Sequence, residues 1–168
     1  LVSMAMALVL AVSLLPTTAW AWSYSVDTFN ELKTQLGKGG ERTITVTSTI
    51  EVTETLVIPA KANNITITGG TLKRAESFTS GRMFRLNSSF GALESNKARL
   101  TLENITVDGN NVKASEPVVS LSSNGFLTLK DGAVIQNHVC TSPYEGTVYV
   151  AGGVLTMEAG SVIRNNTT

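Results

Sequence analysis

Three stretches of the chain repeat one cadence: Leu100-Thr101-Leu102, Leu127-Thr128-Leu129 and Leu155-Thr156-Met157. Each leads to a valine (Val107, Val134, Val162), then to an asparagine ten positions past the first leucine (Asn110, Asn137, Asn165). The copies follow one another at 27 and then 28 residues. A period in this range marks a solenoid, in which each unit buries its apolar face only against its neighbours.

The residues between these anchors specify strands. Ile44, Val46, Ile50 and Val52 lie on alternate or near-alternate positions among threonines, and Leu56-Val57-Ile58 ends at Pro59. Turn clusters such as Asp108-Gly109-Asn110-Asn111 and Gly152-Gly153 separate the runs. One repeat thus holds three short strands: Leu100/Leu102, Val107, and Val119/Leu121. Alternation sends Leu100 and Leu102 inward and Thr101 outward, so that Thr128 and Thr156 stack on Thr101. A coil burying about five apolar side chains gains roughly 1.5–3 kcal/mol from each. Ordering its backbone costs about 1–2 kcal/mol per residue, so a lone coil cannot fold. Asn110, Asn137 and Asn165 fit left-handed corners, where their side chains stack as a ladder. A leucine-rich repeat has a similar period but needs Asn or Cys three residues after the second leucine. Here Ile105, Gly132 and Gly160 stand there.

The only convincing helix lies near the start. Thr28-Phe29-Asn30-Glu31 fits a capping box, Phe29, Leu32 and Leu36 recur at helical spacing, and Gly37, Gly39 and Gly40 stop it. Lys33 and Lys38 lie towards its C-terminal end. Its apolar stripe is expected to cover the open end of the stack. Residues 4–15 form an apolar run, shorter than the roughly 20 residues of a bilayer span. With Ala19-Trp20-Ala21 after it, the run reads as a secretory signal peptide. The expected organisation is a signal peptide at 1–21, a linker and capping helix at 22–40, and coils over 41–168. Residue 1 is Leu and Thr168 falls in mid-coil, so the expectation is a chain cut at both ends.

The repeats resemble those of right-handed parallel β-helix proteins, of the kind found in pectin-lyase-like folds and large bacterial surface proteins. The residues that carry the likeness are 100–111, 126–137, 147–157 and 161–166. Their valine-tyrosine-valine, glycine-glycine, leucine-threonine-methionine cadence is most similar to adhesin-like secreted proteins of bacteria. The resemblance implies an all-β, right-handed, single-stranded parallel β-helix solenoid whose N-terminal coil is covered by a short helix.

Composition narrows the function classes. Thirteen basic and thirteen acidic residues give a formal charge of zero, without blocks of either sign. That argues against nucleic acid or an anionic membrane as partner. One cysteine, Cys140, excludes an intrachain disulfide, and for an exported chain this favours a bacterial source. Sequons at Asn64, Asn87, Asn104, Asn165 and Asn166 are expected by chance in a chain rich in Asn, Ser and Thr.

Hydrolases of the resembled fold need paired carboxylates facing each other. After residue 21 the chain has three aspartates, and Asp108 and Asp131 sit beside glycine as turn formers. A calcium-dependent lyase needs six to eight oxygen ligands, for which Glu51 and Glu54, or Glu103 and Glu158, are too sparse. Glu103, Lys130 and Glu158 instead read as an exposed ladder of alternating charge. His138 and Cys140 form a weak nucleophile or metal signal and are expected in an isolated polar loop. Lys73-Arg74, Arg82 and Arg85 are the one basic concentration and read as a solvated face. Tyr149 is expected to point outward and Tyr144 to lie in a loop.

No catalytic, cofactor-binding or metal residue is therefore assigned. The expected protein is a non-catalytic, secreted or surface-displayed adhesion or structural stalk. Its partners would be host or cell-wall glycans or surface proteins, with neither nucleic acid nor membrane insertion of the mature domain. The alternatives are a polysaccharide lyase or glycoside hydrolase whose site lies in further coils, and a glycan-binding module. Any function within this chain is expected where the copies differ, at 112–116 and 138–145.

Overall fold

A computed structural model describes residues 22–61, 63–87, 93 and 97–168. The stretch at 1–21, expected to be a signal peptide, lies outside them. The chain enters as strand β1 (Trp22–Val26) and forms helix α1 (Phe29–Gly37), the one helix among the described residues. It then cycles through three sheets. The first cycle is β2 (Arg42–Val46), β3 (Thr49–Val52) and β4 (Leu56–Pro59), the second β5 (Asn63–Thr68), β6 (Thr71–Arg74) and β7 (Phe84–Asn87). The third is β8 (Ala98–Glu103), β9 (Thr106–Asp108), β10 (Lys113–Ala114) and β11 (Val119–Leu121). The fourth is β12 (Gly125–Leu129), β13 (Val134–Gln136), β14 (Val139–Cys140) and β15 (Val148–Val150), and β16 (Val154–Met157) and β17 (Val162–Arg164) begin a fifth.

Every strand pairs in parallel with its counterparts in adjacent cycles. The first sheet runs β1-β2-β5-β8-β12-β16, the second β3-β6-β9-β13-β17 and the third β4-β7-β11-β15, with β10-β14 as a short fourth. Parallel neighbours cannot be joined by a hairpin, and here the way back runs through the other sheets. The architecture is all-β, of stacked parallel sheets, and is compatible with a β-helix-like solenoid.

Burial follows the two-residue period of the strands. In β2 and β12 the buried positions are Arg42, Ile44 and Val46, and Gly125, Leu127 and Leu129, each separated by a partly exposed residue. The inner faces of the three sheets share one core that includes Ile50, Leu56, Ile65, Leu72, Phe84, Leu100, Val107, Leu121 and Ile135. On the outer face of the first sheet, Ser23, Thr43, Thr66, Thr101, Thr128 and Thr156 stand in continuous register. The threonine stack read from three copies thus extends across five strands, with Ser23 of β1 continuing its line, and its β-branched residues suit the pleat.

The helix is capped as its sequence predicts, with one difference. Thr28 Oγ1 accepts a hydrogen bond from Glu31 N at 3.3 Å, but the Glu31 carboxylate accepts from Asp27 N (3.2 Å) rather than from the cap residue. That bond holds the Glu31 carboxyl below its ordinary pKa. Leu32 and Leu36 are buried, and the helix packs chiefly on β4, the end strand of the third sheet. Arg42, itself buried, ties the helix exit to β2 by donating to the Gly39 carbonyl and to Gln35 Oε1. Lys33 reaches Glu54 at 2.7 Å, an exposed pair worth under about 1 kcal/mol.

Two expectations need correction. The linker expected at 22–40 begins with β1, which pairs with β2 along its whole length from Trp22↔Arg42 to Val26↔Val46. The alternation of Trp22, Tyr24 and Val26 with Ser23 and Ser25 is a strand signal that stood beside the helix signal.

The second correction concerns the repeat itself. Leu100, Leu127 and Leu155 do stack, but Val107 pairs with Ile135 and Ile135 with Ile163, whereas Val134 pairs with Thr106 and Val162. Counted between register partners, the step from Leu129 to Val134 is one residue longer than the step from Leu102 to Thr106. Equal spacing from the leucine therefore places Val107 inside at 0% exposure and Val162 outside at 37%. A shift of one residue moves a strand position to the opposite face.

Candidate functional site

The connections from the second sheet to the third are where the repeats differ, and they stack on one another. Ser115 N donates to Thr79 O (3.2 Å), Thr141 N to Ala114 O (2.8 Å), and Cys140 N to Thr167 O (2.8 Å). With the β10–β14 pairing, they build a side wall over a buried polar cluster drawn from different repeats.

Arg74 occupies an inward position of β6, in register with buried Val52, and is 0% exposed. Its Nη1 donates to the carbonyls of Phe78 (2.9 Å) and Gly81 (3.0 Å), and its guanidinium lies 4.6 Å from the Phe78 ring centroid. It thereby fastens the 75–83 connection, while Nε and Nη2 have no hydrogen-bond partner. Burial lowers its pKa to about 10, opposed by the nearby Glu116 carboxylate, and it stays cationic at neutral pH.

His138 (0% exposed) and Cys140 (3%) lie beneath the same wall. The isolated polar loop expected for them is thus corrected: both are interior. Gly109 explains how His138 comes to be enclosed. A Cβ on Gly109 would lie 2.6 Å from His138 Cα, so only glycine lets the two backbones approach this closely. Both His138 ring nitrogens are without a hydrogen-bond partner of normal geometry. Burial, then the charge of Arg74, lowers its pKa to about 4, with the nearby main chain of Glu116 opposing.

Arg82, Glu116 and Glu145 span three repeats on the outer side of the wall. Arg82 Nη2 lies 3.5 Å from Glu116 Oε1 and 3.4 Å from Glu145 Oε1. Beside Glu145 an open cleft of about 550 Å³ is lined by Ser142, Pro143, Tyr144, Gly146 and Thr168. Tyr144 is 88% exposed at its rim, and Tyr149, in register with Ser120, faces outward as expected.

The expected basic concentration is dispersed: Arg74 is interior, Arg82 is paired, and Lys73 and Arg85 are exposed on different sheets. Parity along β6 was the signal for Arg74, since Leu72 inward and Lys73 outward send the next residue inward again.

Asn110, Asn137 and Asn165 do adopt left-handed conformations, with φ of 57°, 56° and 54°. They do not form an asparagine ladder. Asn110 Nδ2 donates to Arg74 O (3.1 Å) and Asn137 Nδ2 to Asp108 Oδ2 (3.0 Å), while Asn166 bridges to Ile135 O and His138 N. Asp108 is a turn former as expected, accepting from Asn110 N at 2.7 Å, and it also receives Gln136 Nε2 at 3.0 Å.

The charge ladder lies elsewhere than expected. Glu103, Lys130 and Glu158 form no ion pair with one another among the described residues. Glu51, Lys73, Asp108, Gln136 and Arg164 instead run in register up the second sheet, and Arg164 Nη2 donates to Gln136 Oε1 at 3.1 Å. Among the described residues no three His, Cys, Asp or Glu side chains are grouped so as to hold a metal ion, and no helix is long and apolar enough to cross a membrane. Compared with protein-family models, curated proteins and solved structures, the chain matches none.

Proposed function

We propose that the chain forms part of a right-handed, single-stranded parallel β-helix, exported by a bacterium and acting as a non-catalytic adhesion or structural stalk. The observation that carries this reading is the continuous register from β1 to β16, in which the recurring residues are used in core, corner and ladder positions. Each repeat then adds about 4.8 Å to a rod whose side wall presents the variable connections. The sealing of His138 and Cys140 withdraws both from a solvent-borne substrate. The likeness to pectin-lyase-like repeats and the apolar run at 4–15 support the fold and the export.

The test is to display the full chain on cells and measure adherence to host surfaces and cell-wall glycans, alongside release of unsaturated uronic acid with added calcium. Adherence without turnover supports the stalk. Turnover of a uronic-acid polymer overturns it.

A second reading, a glycan-binding module, draws on the cleft, where the exposed Tyr144 ring stands next to the Glu145–Arg82 pair. An aromatic platform beside fixed donors and acceptors suits a sugar ring. A Tyr144→Ala chain that adheres as well as the parent removes this reading.

A further inference from the structure

Asparagine or aspartate before glycine is chemically labile, because glycine has no side chain to hinder its main-chain nitrogen from attacking the preceding side chain. The chain has three such pairs: Asp108-Gly109, Asn124-Gly125 and Asp131-Gly132. All three lie at corners, and the stack treats them differently.

Two are closed. Gly109 is buried, and its N–H donates to Gln136 O of the next repeat at 2.8 Å. The Asp108 carboxylate is fixed as well: Oδ1 accepts from Asn110 N (2.7 Å), and Oδ2 from Gln136 Nε2 and Asn137 Nδ2 (both 3.0 Å). Gly125 is also buried, its N–H donates to Ser122 O at 2.9 Å, and Asn124 O accepts from Ala98 N at 3.0 Å. A Cβ on Gly153 would lie 2.5 Å from Gly125 O, so the fifth repeat packs directly on this corner. Ring closure requires the glycine N–H to be given up and the side chain to swing over it. At both corners that breaks buried hydrogen bonds.

Asp131-Gly132 is the exception. Both residues are exposed, although the fifth repeat already stacks on them through Gly160. The Gly132 N–H reaches Gly160 O at 3.3 Å, the longest of the three glycine bonds. The Asp131 carboxylate receives no hydrogen bond among the described residues, in contrast to Asp108. The main chain around it is held, by Asn104 N to Asp131 O (2.9 Å) and Ala133 N to Lys130 O (3.0 Å), but the two reacting groups are held least.

We propose that Asp131 is a site of spontaneous isomerisation, and that folding reverses the order in which the three pairs age. The Gly132 nitrogen attacks the acid form of the Asp131 side chain and a C–N bond forms. The amide proton and the acid hydroxyl depart as water. Water then opens the ring at either carbonyl, giving aspartate or isoaspartate. Isoaspartate carries the main chain through its side chain, which lengthens the step from Leu129 to Val134 that sets the inward face of β13. In an unfolded chain Asn124 reacts first, because its side chain is a neutral amide whereas the aspartates are mostly ionised at neutral pH.

The full chain is aged at neutral pH, native and in urea, and isoaspartate is located by peptide mapping with electron-transfer fragmentation. In the native chain conversion at Asp131 should exceed that at Asp108 and Asn124 by at least about 10-fold, a ratio set by the local free energies of opening. In urea Asn124 should lead. A smaller native excess, native conversion led by Asn124 or Asp108, or an unconverted Asp131 while the urea sample converts there, overturns the proposal. Asp131→Asn separates place from chemistry, since the chain then holds two Asn–Gly pairs. In the native variant the introduced amide should be lost at least about 10-fold faster than that of Asn124. Equal loss at the two positions refutes the shielding.

Discussion

The longer corner before β13 sets up a sharp contrast between two adjacent residues, Val134 and Ile135. Ile135 is 0% exposed and stacks between Val107 and Ile163, whereas Val134 is partly exposed and stacks between Thr106 and Val162. Ile135→Ala removes three carbon groups at about 0.8 kcal/mol each, or roughly 2.4 kcal/mol of transfer energy. The residual cavity adds about 24 cal/mol per Å³, moderated here because Ile163 above it is free to settle. We expect a loss of about 3 kcal/mol. Val134→Ala should cost less than about 1 kcal/mol, since its side chain faces outward. Urea unfolding followed by far-UV circular dichroism measures both, provided the slope stays constant between variants. If the repeats unfold in separate steps, exchange at the β13 amides supplies the same comparison. A Val134→Ala chain as unstable as Ile135→Ala, or more so, would refute the register and restore the alignment obtained by counting from the leucines.

Other perturbations probe corners, caps and charge. Asn137 has φ of 56° and binds Asp108, so Asn137→Ala should cost about 1–2 kcal/mol and Asn137→Gly distinctly less, as read by thermal melts. Gly160→Ala should destabilise by more than 1 kcal/mol, because φ is +81° and the added Cβ would collide with the Asp131 carboxylate. Thr28→Ala should cost about 1 kcal/mol by removing the cap on Glu31 N. The folded His138 pKa, near 4, lies below the unfolded 6.5, so the unfolded chain binds more protons between them. Stability is then full above about pH 6.5 and falls by up to about 3 kcal/mol by pH 4. A His138→Leu melt that declines equally steeply over this range would exclude His138 as the cause.

Much of this protein can be read without its structure. The spacing of Leu100, Leu127 and Leu155 specifies stacked strands, because residues one repeat apart must present the same face to a shared core. The Thr28 cap and the Leu32–Leu36 stripe determine the helix locally, and the asparagine corners follow from backbone sterics alone. These features act over a few residues or repeat many times, so the chain states them directly. The interior cluster is different. Arg74, His138 and Cys140 come from two repeats and share no motif, and only strand parity, at Arg74, marks any of them as interior. Their meeting depends on how the variable connections stack, on a glycine at 109 that admits the His138 backbone, and on a corner step one residue longer than its neighbour. Parity along a strand is set by the chain, but which residue begins the count is set by the turn before it. That geometry exists only once the repeats are stacked.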